Sequence, residues 1–183
     1  MWTQRTRQKR FNILEARLPM DSRSIHLFDK TGFPRRERKH WIHYFDDITS
    51  VLFVMDLTEY DHVLFEDETV SLLNESLTLF EAILTSRFFA KSSIILILNR
   101  LEVFKEKVTK SPLGDYFPDY SGGNDVNEAV KYLLLKFLRP NTSHRNVYPH
   151  VACSNDPLGV YRAMCAGVRE GVLLRSALGQ EGV

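Results

Sequence analysis

The stretch Ser93-Ile94-Ile95-Leu96-Ile97-Leu98-Asn99-Arg100-Leu101-Glu102 decides the fold: a continuous apolar run stops on a polar tetrad. An unbroken run of β-branched and aliphatic residues, too short to span a membrane, reads as a parallel strand buried on both faces by helices. Ligands of such sheets bind beyond the carboxyl ends of the strands, which is where the tetrad falls. Four residues with two fixed positions, Asn-x-x-acid, carry little weight alone. The bland reading is a strand running into a polar loop, so the rest of the chain must decide.

Working outward, Ser50-Val51-Leu52-Phe53-Val54-Met55-Asp56 is a second apolar strand, and it ends on a carboxylate. Ser24-Ile25-His26-Leu27-Phe28-Asp29 is a third strand with the same ending, preceded by a turn at Pro19-Met20-Asp21-Ser22 and a short edge strand over Phe11–Glu15. Val147 to Ala152 is a short strand whose Pro149 argues for an edge position. The turn Lys30-Thr31-Gly32-Phe33-Pro34 leads into a basic helix over Arg35–Phe45. The acids of Glu66-Asp67-Glu68-Thr69 suit a helix N-terminus, and Val70, Leu73, Leu77, Phe80 and Leu84 form the buried stripe of that helix. A charged helix follows at 101–109 and ends at Ser111-Pro112, with a loop over 114–124. Val126, Val130, Leu133 and Phe137 stripe another helix, closed by Pro140. In the last helix Asp156 caps, Pro157 fills the first turn, and Val160, Met164, Val168 and Val172 form the stripe. Strands alternating with helices give an α/β fold with a mostly parallel sheet.

A chain of 183 residues, 44% hydrophobic, is long enough for one globular domain with a real core. With no apolar run near membrane length, and an Arg-rich start without an apolar core segment, neither a transmembrane helix nor a secretory signal is expected. The expected location is intracellular, in the cytoplasm or at the cytoplasmic face of the plasma membrane. Cys153 and Cys165 have neither disulfide-framework nor zinc-ligand spacing and read as packed thiols. His40 and His43, at i and i+3, are too few for a metal site. The net charge of +1 hides an asymmetry: residues 1–43 hold eleven Lys/Arg against four Asp/Glu, while residues 44–183 hold thirteen against nineteen. The basic quarter suits phosphates, an acidic protein face or plain solvent. As a nucleic-acid-binding module it lacks interleaved exposed aromatics and a recognised motif, so no nucleic acid is expected as a partner.

Several ordered segments carry a resemblance. Trp41-Ile42-His43-Tyr44-Phe45-Asp46-Asp47, Leu57-Thr58-Glu59-Tyr60-Asp61, Glu66-Asp67-Glu68-Thr69, Asn74-Glu75-Ser76-Leu77-Thr78-Leu79-Phe80, Lys110-Ser111-Pro112-Leu113 and Phe117-Pro118-Asp119-Tyr120-Ser121-Gly122 resemble the heterotrimeric G-protein α subunit over about residues 24–183. Asn99-Arg100-Leu101-Glu102 is similar to the guanine-reading Asn-Lys-x-Asp of Ras-like GTPases. The resemblance implies a partial Ras-like, doubly wound, mostly parallel sheet with helices on both faces. The P-loop strand and the helical insertion domain are expected to be lacking. Residues 1–23 would be a basic, poorly ordered lead segment similar to switch I, and residues 24–183 the C-terminal portion of the Ras-like GTPase domain.

Carried residue by residue, the resemblance implies a damaged catalytic apparatus. Asp29-Lys30-Thr31-Gly32-Phe33-Pro34 stands where the family has Asp-x-Gly-Gly-Gln. Asp29 would take the second-shell magnesium role and Gly32 the phosphate-sensing glycine. Phe33 or Pro34 falls on the water-orienting glutamine, which neither can replace by hydrogen bonding. Arg7 fits the arginine finger, whereas Arg10 falls on the magnesium threonine and has no lone pair for the metal. None of the nine glycines begins a Gly-x-x-x-x-Gly-Lys-[Ser/Thr], so the phosphate-cradling loop is absent from this sequence.

The base-reading part is better kept. Asn99 matches, Arg100 replaces the lysine whose stem packs on the base, and Glu102 replaces the aspartate that accepts from guanine N1 and N2, its carboxylate displaced by about 1.5 Å. Cys153 keeps its place in the loop before Ser154. Binding of GTP or GDP and of Mg²⁺ is therefore expected to be weak or absent. For partners, the resemblance implies that Arg35, Arg38, Lys39, His40 and Trp41 occupy the helix that in the family faces a Gβγ dimer or an effector. The resemblance likewise implies that Leu178, Gly182 and Val183 belong to the tail that in the family meets a G-protein-coupled receptor, so membrane association would be peripheral and through partners. The leading expectation is a signalling remnant that couples receptors to Gβγ or effectors with catalysis lost. The alternative is a working GTPase whose P-loop half lies outside this chain.

Overall fold

In the computed structural model, residues 13–20, 23–30, 48–65 and 67–177 are described. The chain divides into two units, residues 1–41 and 42–183. In the first, β1 (Ile13–Met20) pairs with β2 (Arg23–Lys30) as an antiparallel hairpin in which Arg17 faces His26 and Leu14 faces Asp29. β1 runs through the Pro19-Met20 turn signal and beyond the strand expected over Phe11–Glu15. Eight matched pairs join the two strands, from Ile13 opposite Lys30 to Met20 opposite Arg23.

The second unit is built on β4 (Ser93–Asn99), flanked in parallel by β3 (Ser50–Asp56) and β5 (Val147–Val151) in the order β3-β4-β5. Ile94 to Leu98 are all fully buried. Each such side chain contributes about 1.5–3 kcal/mol on leaving water, which makes β4 the spine of the unit. Helices cover both faces. On one, Phe53 of β3 meets Phe80 of α1 (Leu72–Thr85) and Phe137 of α3 (Val126–Leu138), with ring centroids 5.0 and 6.0 Å away. On the other, Val160, Ala163 and Val168 of α4 (Pro157–Ala177) pack on Ile95, Ile97 and Ala152. This is an α/β, partial Ras-like fold with a parallel sheet between helices.

α2 (Leu101–Lys110) runs from the end of β4 to Ser111-Pro112, as its sequence requires. β5 is an edge strand, which accommodates Pro149. Asp156 caps α4 by accepting from the Gly159 amide at 2.9 Å. One expected boundary is corrected: α1 begins at Leu72, not at the acidic run 66–69. Asp67 instead accepts from the amide and hydroxyl of Thr69, and a Leu64–Val70 backbone bond with a Val63–Ser71 bridge holds this loop closed ahead of the helix.

Candidate functional site

Because β3 and β4 pair in register to their last residues, Asp56 and Asn99 stand side by side at the carboxyl edge of the sheet. The chain then turns sharply. Arg100 adopts the left-handed conformation, with φ 63°, which L-residues other than Gly, Asn and Asp seldom take. That turn starts α2 directly after the strand and sets Glu102 in the first helical turn. The Arg100 guanidinium reaches back across the edge to donate to Asp56 Oδ2 at 2.8 Å. Asp56 Oδ1 accepts from the Thr58 amide at 2.8 Å and its hydroxyl at 2.7 Å. Burial opposes ionisation of Asp56, but the Thr58 bonds and Arg100 outweigh it and hold the carboxyl below the usual carboxylate range.

The third component is the loop after β5. The Ala152 amide donates to Leu98 O at 2.8 Å and the Leu101 amide to Ala152 O at 3.2 Å, which fastens the loop to the strand–helix junction. Ser154 is thereby brought to Glu102. Its amide donates to Oε1 and Oε2 at 3.1 and 3.2 Å, and its hydroxyl donates to Oε1. These bonds, led by the hydroxyl, hold the Glu102 carboxyl below its ordinary value. Cys153, a half-buried free thiol, sits between. Lys107 clamps the far side of α2, donating to Thr58 O at 2.7 Å and to Asp61 Oδ1.

Asn99 is half-buried, yet its Oδ1 is enclosed and meets no hydrogen-bond partner among the described residues. An enclosed, unsatisfied amide oxygen costs about 1–3 kcal/mol. The edge thus sets an ionised acceptor at Glu102 against a donor loop at 152–154, beside the enclosed Asn99 oxygen. That set can read the polar edge of a planar heterocycle.

Of the residues singled out in the sequence, Asn99, Arg100, Glu102, Cys153 and Ser154 come together here. Asp29 belongs to the hairpin unit, exposed near the end of β2. Arg7, Gly32, Arg35, Arg38, Lys39, His40, Trp41, Leu178, Gly182 and Val183 fall outside the described residues. Among the described residues no three His, Cys, Asp or Glu side chains converge. Two contacts at this edge are not readable from the sequence. Asp56 was noted only as a strand ending, although two strands ending level with each other place it within reach of a base after Asn99. Ser154 is expected at the nucleotide site beside Cys153, but the bond from its hydroxyl to Glu102 is not readable from the sequence.

The family model for the G-protein alpha subunit matches residues 3–170. The guanine nucleotide-binding protein alpha-3 subunit of Neurospora crassa is 48% identical over 98% of this chain and 49% of its own length. The alpha-3 subunit of Ustilago hordei is 44% identical over 98% of the chain and 50% of its own length. The alpha-2 subunit of Saccharomyces cerevisiae is 42% identical over 92% of the chain and 37% of its own length. The chain spans about half the length, or less, of these relatives. No described helix is long and apolar enough to cross a membrane. A match over nearly the whole chain, reinforced by strand ends that meet at one polar edge, means that this protein belongs to the G-protein alpha subunit family.

Proposed function

We propose that this chain carries the base-reading part of a guanine-nucleotide-binding alpha subunit and acts in signalling by binding, with hydrolysis negligible. The observation that carries the reading is the convergence of Asn99, Glu102 and the 152–154 loop at one sheet edge, fastened by the Leu101–Ala152 backbone bond. A guanine offers N1–H and N2–H donors to an ionised carboxylate and acceptors to an asparagine amide. The sequence lacks a P-loop motif, and Pro34 or Phe33 takes the place of the water-orienting glutamine. Both support weak binding without turnover. Coupling to a Gβγ-like dimer, an effector and a receptor belongs to the same reading, through Arg35–Trp41 and the 178–183 tail. A second reading, that the chain is one part of a working GTPase, accords with its spanning half of its relatives' length; the genomic sequence upstream of Met1 decides it.

The test follows backbone amide signals while GDP and ADP are titrated separately into the full chain. GDP should move the signals of Asn99, Leu101, Glu102 and Ser154, and ADP should not. Equal responses to the two nucleotides, or a response elsewhere only, would overturn the base-reading role.

A further inference from the structure

We propose that Glu102 and Ser154 form a latch that closes this base subsite, so that a guanine must displace Ser154 before it can use the carboxylate. The inference rests on the base-reading role proposed above. Two parallel donors on a guanine edge need two carboxylate oxygens facing them. Here one amide, at 3.1 and 3.2 Å, already bridges both oxygens of Glu102, and the Ser154 hydroxyl adds a third bond to Oε1. The amide and hydroxyl of one residue therefore occupy the face on which a base would dock.

Three features keep the latch shut. The 152–154 loop cannot retreat easily, because Ala152 is bonded in both directions, to Leu98 O and from the Leu101 amide. The Asp156 amide donates to Cys153 O at 3.1 Å, which closes the turn behind Ser154. Arg100, the nearest cation in sequence, is turned away to Asp56, so its guanidinium does not compete for Glu102. The length of the side chain matters as well: the added methylene of glutamate extends the carboxylate by about 1.5 Å relative to aspartate. The latch is thus a specificity device. It discriminates against any ligand whose donors cannot replace the pair that Ser154 supplies. The depressed carboxyl of Glu102 agrees with the geometry, since its leading cause is the Ser154 hydroxyl.

The test uses the full chain, its Ser154→Ala form and the double form Ser154→Ala/Glu102→Gln, with guanosine as the probe so that phosphate contacts play no part. The Glu102 carboxyl is titrated by carbon-detected NMR, and guanosine affinity is read from amide shifts. In Ser154→Ala the carboxyl should titrate at higher pH, and guanosine should bind about three- to tenfold more tightly, as expected when one hydrogen bond to a charged group no longer competes. Glu102→Gln should remove that gain. An unmoved Glu102 titration overturns the latch whatever guanosine does. If the titration moves but guanosine binds both forms equally, the bond exists and the closure is overturned, while the base-reading role stands. Guanosine bound by none of the forms overturns the base-reading role and the latch with it.

Discussion

Gly167 and Gly171, one helical turn apart on α4, let the helix lie directly on β4, and Gly167→Ala probes that seating. A Cβ at Gly167 would stand 2.6 Å from Ile95 Cγ1, 2.9 Å from Cδ1 and 3.1 Å from Cγ2. Carbon atoms settle at about 3.5–4.0 Å, so either α4 or Ile95 must move by roughly 1 Å. Ile95 is fully buried within β4 between two paired strands, and the atoms met belong to both branches of its side chain, so no single rotamer change clears them. Overpacking of this kind costs about 1–3 kcal/mol, with this site toward the upper end. Alanine returns about 1 kcal/mol through its better helix propensity. The net expectation is a loss of about 1–2 kcal/mol. With a urea slope of about 1–3 kcal/mol/M, the midpoint followed by far-UV circular dichroism should fall by roughly 0.5–1 M. Gly167→Ala combined with Ile95→Val should lose less than the sum of the single changes, because the Cδ1 clash disappears. An unchanged or raised midpoint in Gly167→Ala would refute the close seating of α4 on β4, and with it the account of this face of the core.

Phe80→Ala removes the ring that contacts both Phe53 and Phe137, at 5.0 and 5.4 Å, and should cost about 3–5 kcal/mol in the same assay. Asp56 has a depressed carboxyl, so its contribution is fully present above the ordinary carboxylate range and lost as pH falls through the lower folded value. Urea midpoints measured below about pH 4 should therefore decline more steeply for the native chain than for Asp56→Asn. No magnesium-dependent GTP hydrolysis above a buffer blank is expected; turnover that Asn99→Ala abolishes would contradict the reading of the switch residues. Capture by an immobilised βγ dimer should weaken in Trp41→Ala when circular dichroism shows both forms folded, and equal capture would remove Trp41 from that surface.

How far the sequence could be read depended on the range of the interactions. β4 was legible because an apolar run of that length has few other uses, and α2 because Pro112 stops it. Pro149 marked the edge strand for the same local reason. The start of α1 was misread because Asp67 is satisfied by Thr69 two residues away, a choice between a turn and a cap that composition does not decide. At the site, the strand endings foretold that Asn99, Glu102 and Ser154 belong to one edge. The Arg100–Asp56 pair was not foretold, since it depends on the level ending of β3 and β4 and on the left-handed turn at Arg100. The hydroxyl of Ser154 closing on Glu102 depends likewise on the loop fastened at Ala152, a contact between residues far apart in the chain.

The central claim is that the base-reading edge persists in this chain without a grip on phosphate. Calorimetric titration of the full chain with GDP tests it most directly. The account predicts a dissociation constant of about a millimolar or weaker, equivalent to roughly 4 kcal/mol or less, and a further loss of heat on Asn99→Ala. A sub-micromolar constant without any added polypeptide would contradict it.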